Sequence, residues 1–207
     1  MSRNTPSFVL GYHGCSKRVG RKALTSGRAL NPSDKDYDWL GPGVYFWEND
    51  ARRAYEWAES KAARGAYSDP YVIGAVIDLG NCLDLLQRQN IELLADAHGS
   101  LKQINRLAGT QMPRNKDSRA ARKGDKLLRF RDCAVIRHLH EIIEDEEFND
   151  PTGNDYVEPF DTVRGLFVEG QPAYAGGGFY SKTHTQIAVR NDKCIRGIFL
   201  PRVDIIR

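Results

Sequence analysis

Gly11-Tyr-His-Gly14, closing the apolar run that begins at Phe8, decides how the rest of the chain is read. Residues 8–14 have the make-up of a short strand that stops at a glycine. A second stretch, Gly41-Pro-Gly-Val-Tyr-Phe-Trp47, reads as a tight turn feeding another short strand. A third, Thr183-His-Thr-Gln-Ile-Ala-Val189, is again strand-like. Each puts a polar or aromatic side chain in or beside a strand, and the glycines of the first two let backbone approach a ligand closely. A ligand lying across strand edges needs that arrangement. No G-x-G-x-x-G follows a strand and opens a helix, so the dinucleotide fingerprint is absent, and so is a Walker loop.

Working outward, residues 16–26 have loose helical spacing, and 31–38 read as a loop. Asn49 or Asp50 is a good N-cap for a helix over 51–64, with Ala54, Tyr55, Ala58 and Ala62 on one face. Tyr71 to Leu79 reads as a strand buried on both faces. Residues 82–87 and 90–107 read as helical, as do 127–147 with the apolar stripe Leu128, Cys133, Ile136, Leu139, His140 and Ile143. Strands are predicted over 162–170, 186–190 and 194–200, the last two joined by Asn191-Asp192-Lys193 as a hairpin turn. Strands cluster at both ends with helices between and no internal repeat, which predicts one α+β domain over residues 1–207.

The composition sets bounds. A chain of 207 residues, 41% hydrophobic and 28% charged, has room for one sizeable core and is globular in character. No apolar run approaches the roughly 18 residues of a membrane span, and residues 1–7 are polar, unlike a secretory signal. The expectation is a cytoplasmic protein with no membrane association. Cys15, Cys82, Cys133 and Cys194 form no C-x-x-C pair, and no His stands at zinc-ligand spacing from them, so reduced thiols and no metal site are expected. His138 and His140 stand two apart on a predicted helix, a poor metal pair.

Tyr12-His-Gly14 on one strand and Gly41-x-Gly-x-Tyr45-Phe on the next resemble the ADP-ribosyltransferase superfamily. The likeness is to the branch with the poly(ADP-ribose) polymerases and diphtheria-type toxins, in which a His, a Tyr and usually a Glu come from three strands in that order. Tyr55, in the helix after Tyr45, fits the place of a second aromatic, and the segment 184–191 resembles the strand of the third residue, which here reads Gln186. The resemblance implies a split sheet, made of two small, mainly antiparallel sheets with a helical insert, and NAD as substrate.

The residue types suit that chemistry. A flat, cationic nicotinamide ring wants aromatic faces, which Tyr45 and Tyr55 supply. Its carboxamide wants a paired donor and acceptor, which the backbone of Gly14 offers. His13 is expected to donate to a hydroxyl of the adenine-side ribose and fix the cofactor's orientation. Gln186 keeps a hydrogen bond to the nicotinamide ribose but lacks the charge of a Glu, pointing to single transfer or slow hydrolysis rather than polymer synthesis. Glu169 is a candidate source of the missing charge.

Ordinary alternatives stand beside these readings. His13 also fits a core histidine, Tyr45 a plain strand aromatic, Tyr55 the core face of its helix and Gln186 an edge-strand polar residue; Cys15 reads as a small buried filler. Residues 114–131 carry eight Lys/Arg against two Asp, a solvated surface or a nucleic-acid contact. Residues 170–181 set Tyr174, Phe179 and Tyr180 among glycines, a flexible connector or, as the resemblance implies, a loop that faces the target.

The expected activity is NAD-dependent mono-ADP-ribosyl transfer to a macromolecular acceptor, protein or nucleic acid, by a toxin or defence factor with a possible neutralising partner protein. His13, Tyr45 and Gln186 form the catalytic set, and His13, Gly14, Tyr45 and Tyr55 hold NAD. The rivals are an NAD glycohydrolase and a catalytically silent module that binds ADP-ribose or nucleic acid.

Overall fold

The computed structural model describes residues 8–26, 30–119, 122–145, 149–153 and 156–202. The polar stretch 1–7 and residues 146–147 of the acidic run lie outside the described residues. In chain order the elements are β1 (Phe8–Ser16), α1 (Lys17–Ser26), β2 (Val44–Glu48), α2 (Ala51–Ala63), β3 (Pro70–Asp78) and β4 (Cys82–Asp84). Then follow α3 (Arg88–Leu107), α4 (Phe130–Glu144), β5 (Thr162–Phe167), β6 (His184–Val189) and β7 (Ile195–Phe199).

The α+β expectation holds: seven strands form one mixed, mostly antiparallel sheet in the order β4-β5-β6-β2-β1-β3-β7, with helices packed on it. Hydrogen bonding joins all seven into one sheet, which corrects the expectation of two separate sheets. The junction is narrow. β1 pairs with β3 from Phe8↔Asp78 to Ser16↔Pro70, but with β2 only at Gly11↔Glu48 and Tyr12↔Trp47.

Two other expectations are corrected. Residues 82–84 form a strand parallel to β5 rather than a helix. β6 and β7 do not form a hairpin: β6 lies between β5 and β2, whereas β7 edges the sheet beside β3, and a 3₁₀ turn over Asp192–Cys194 links them.

Strand alternation sorts the core onto two faces. On one, Phe46, Ile73, Ile77, Ile187 and Val189 pack with Ala23 of α1. On the other, Leu83, Val163 and Ala188 meet Val135, Ile136 and Leu139 of α4. Tyr12, Trp47 and Val72 on that second face lie under Ala51 and Ala54 of α2. Asp50 caps α2 by accepting from the Arg53 amide at 2.9 Å. The small residues of α2 let it press onto β1, so closely that a Cβ at Gly14 would stand 2.1 Å from the Ala54 carbonyl oxygen.

Candidate functional site

The parting of β1 from β2 organises the site. The two-pair register, continued, would set Gly14 opposite Tyr45, but the ladder ends at Tyr12↔Trp47. The Asn49 amide donates to the Leu10 carbonyl on this side of β1. By strand alternation, Tyr12 and Gly14 point their N–H and C=O the same way. For Tyr12 these groups meet β2; for Gly14 they face the gap, where no strand pairs with them. A backbone donor and acceptor side by side at a strand edge form a template for another amide.

His13 bridges the gap. Its Nδ1–H donates to the Tyr45 carbonyl at 2.8 Å, because a carbonyl can only accept. Burial pushes the ring's pKa below the ordinary imidazole range, so the ring is neutral near pH 7 and Nε2 carries a lone pair. Toward a ribose hydroxyl Nε2 therefore accepts, which reverses the polarity expected from sequence. By register His13 stands opposite Ile73, and its ring lies 5.6 Å from that of Phe46. This is the face of the sheet away from α2.

Tyr45 and Gly14 share the α2 side. The Tyr45 hydroxyl donates to the Gly41 carbonyl at 2.8 Å and accepts from the Leu40 amide at 3.0 Å. Burial, with Asp38 adding to it, raises the phenol pKa well above its usual value, so Tyr45 is a fixed, uncharged wall. Tyr55 on α2 is half-buried against the Tyr12 and Trp47 cluster, on the same side.

Gln186 is two strands from β1. It pairs with Trp47 on β2 and Gly165 on β5, and is buried on the face of Tyr45. Its Oε1 accepts from Trp39 Nε1 at 2.6 Å, leaving the amide N–H₂ to serve another partner. Gly165 makes that contact possible, since a Cβ there would stand 2.8 Å from the Trp39 ring. His13 and Gln186 lie on opposite faces and do not touch, so a ligand that meets both must pass through the gap.

Glu169 is not free to lend its charge. It forms a 2.9 Å ion pair with Arg53 of α2, both side chains largely buried. It also stands four residues beyond Gly165, the strand partner of Gln186, roughly 13 Å along an extended chain. The thiol of Cys15 is pushed up to about 11 by burial, which fits inert filler. No grouping of three or more metal-ligating side chains occurs among the described residues. No helix among them is long and apolar enough to cross a membrane.

Three participants were not legible beforehand. Trp39 orients Gln186 from 147 positions away. Trp47 is buried in the row between Tyr12 and Gln186, and its Nε1–H has no partner among the described residues. His184 donates from Nδ1 to the Lys182 carbonyl at 2.6 Å, stacks on Phe167 and is lowered to about 4 by burial. The signals were the place of Trp39 and Trp47 on either side of Gly41-Pro-Gly43, and that of His184 two residues before Gln186. Comparison of the chain with family models, with curated proteins and with solved structures found no match.

Proposed function

We propose that the chain is an NAD-dependent mono-ADP-ribosyltransferase, with NAD held where β1 leaves β2. The observation that carries this reading is the backbone of Gly14, unpaired among the described residues, facing the gap beside the His13–Tyr45 bond. A parted sheet with His13 and Tyr45 on its two lips is compatible with the split sheet of that superfamily.

In this reading the nicotinamide carboxamide completes the ladder that β2 gives up, with Gly14 N–H donating to its oxygen and Gly14 C=O accepting from its nitrogen. The ring lies between Tyr45 and Tyr55, whose faces favour its positive charge. A hydroxyl of the adenine-side ribose donates to His13 Nε2. The N–H₂ of Gln186 donates to a hydroxyl of the nicotinamide ribose and orients it. The C1′–N bond then breaks, nicotinamide leaving with the electron pair. A lone pair on the acceptor forms the new bond to C1′, and the acceptor's proton passes to water. Gln186 adds no negative charge to the oxocarbenium-like state, so the acceptor's own nucleophilicity carries more of the burden.

The test is incubation of the purified chain with labelled NAD, with and without cell lysate, RNA and DNA, following nicotinamide and label. Label on a macromolecule supports transfer. Nicotinamide without label makes the chain a glycohydrolase. Binding of NAD without turnover makes it a silent module, the outcome that Gln186 in place of a carboxylate would favour.

A further inference from the structure

The chain has two basic stretches, residues 17–28 with five Lys/Arg and no Asp or Glu, and residues 114–131, and only the second is docked beside the candidate site. The net charge of the whole chain is +3, and residues 114–131 alone contribute six positive charges in excess, so the remainder is net negative by three. Arg114, Lys116, Arg119, Arg122, Lys123 and Lys126 are all exposed. The segment is a shaped loop: Lys116 and Leu128 exchange backbone bonds, and Asp117 Oδ1 accepts from the amides of Gly124 and Lys126. Its far end is tied down by Asn115 Oδ1, which accepts from the Arg131 amide of α4.

This loop is docked against the segment that leads into Gln186. Arg122 donates to the Gly170 carbonyl at 3.1 Å, and the Gly170 amide donates to Asp125 at 3.4 Å. The Arg129 guanidinium lies 4.7 Å over the Phe167 ring. From Gly170 the chain runs out and back as an irregular hairpin, with Ala173 N–H donating to Phe179 C=O and Ser181 N–H to Gln171 C=O. That hairpin exposes Tyr174 at 60% and Phe179 at 73% and then enters β6. A hollow of about 220 Å³, largely apolar through Leu85, Ile91, Leu94 and Leu166, opens beside Trp39 and Arg129. Trp39 is the side chain that holds Gln186.

We infer that this surface docks a single strand of nucleic acid as the acceptor: phosphates on the basic loop, bases on the aromatic hairpin, and one nucleotide turned toward the hollow beside Gln186. A basic loop set beside a hairpin with exposed aromatic rings is a pairing that suits single strands, because every phosphate is negative and every base has a π-face. The inference deepens the transferase reading and rests on it for the transfer step, in which a base nitrogen or sugar hydroxyl forms the bond to C1′.

Binding is measured without NAD, by fluorescence anisotropy with a labelled single-stranded RNA, the same sequence as DNA, and its duplex, each over a range of salt. Single strands are expected to bind more tightly than the duplex, with steep salt dependence. The combined Arg114→Gln, Lys116→Gln, Arg119→Gln and Lys123→Gln variant should lower the salt slope by about 3, at about 0.7 per phosphate contact. Phe179→Ala should weaken binding by about five-fold or more through lost stacking. Circular dichroism of each variant checks that the fold is kept. With labelled NAD added, label on RNA or on DNA names the strand. No single-strand binding, duplex bound as well as single strands, or label found on protein alone would overturn the inference. A bound strand with no nicotinamide released supports the docking surface and removes the transferase reading.

Discussion

His13 donates from Nδ1 to the backbone carbonyl of Tyr45 at 2.8 Å, across the line where β1 and β2 part. One imidazole thus replaces a stretch of ladder that ends at Tyr12↔Trp47, and the bond fixes which ring nitrogen is left to meet a ligand.

His13→Ala removes the bridge and the acceptor together. NAD binding by calorimetry and nicotinamide release are both expected to vanish, while stability falls by only about 1–2 kcal/mol for the lost hydrogen bond. A folded variant that still binds NAD with unchanged affinity would place the site elsewhere.

Gly14→Ala tests how closely α2 rests on β1. The new Cβ would meet the Ala54 carbonyl, which is backbone and cannot rotate away. Urea unfolding should show a loss of about 3 kcal/mol, at the upper end of the usual overpacking range. A loss below about 1 kcal/mol would mean that the helix is free to lift.

Gln186→Glu puts a carboxylate where the transferase reading has positive charge develop. Trp39 Nε1–H can donate to it as it does to the amide oxygen. Nicotinamide release is expected to rise about ten-fold, equivalent to about 1.4 kcal/mol of transition-state stabilisation. Trp39→Phe should lower kcat with little change in KM, because it frees Gln186 to rotate. Unchanged kinetics in both variants would detach the third residue from Gln186.

Acid should unfold the protein through its buried histidines. Burial lowers His140 to about 3 and His184 to about 4, against 6.5 for an exposed ring. The unfolded chain therefore binds more protons than the native state below pH 6.5, and stability falls as pH drops from there toward 4. The slope attains at most ~1.4 kcal/mol per pH unit for each ring. Both ring nitrogens of His140 lack a partner among the described residues. His140→Leu is therefore expected to flatten the slope and to be neutral or stabilising at pH 5. Urea midpoints between pH 7 and pH 5 that do not fall would refute the account.

Much of the fold was open to sequence reading because local chemistry sets it. Asp50 caps α2 as its side chain predicts, and β1, β2 and β3 follow their apolar runs and glycines. Residues 82–87 misled because a short leucine-rich run has no decisive period; parallel pairing with β5 makes residues 82–84 a strand. Asn191-Asp192-Lys193 looks like a hairpin turn, yet its flanking strands go to separate parts of the sheet. Turn chemistry bends the chain without naming the strand it will pair with. At the site, His13, Gly14 and Tyr45 were visible as types at strand ends. The polarity of His13 was not, because it depends on a carbonyl 32 positions away.

By itself, then, the sequence determined where most of the strands and helices lie, which glycines clear space, and where basic and aromatic side chains gather along the chain. Tertiary structure alone decided that β1 and β2 part after two pairs, that Trp39 holds Gln186, that Arg53 occupies Glu169, and that the basic loop docks on the aromatic hairpin. The division is physical. Backbone propensity and capping act within a few residues, whereas strand partners and buried polar contacts are chosen by packing between segments far apart in sequence.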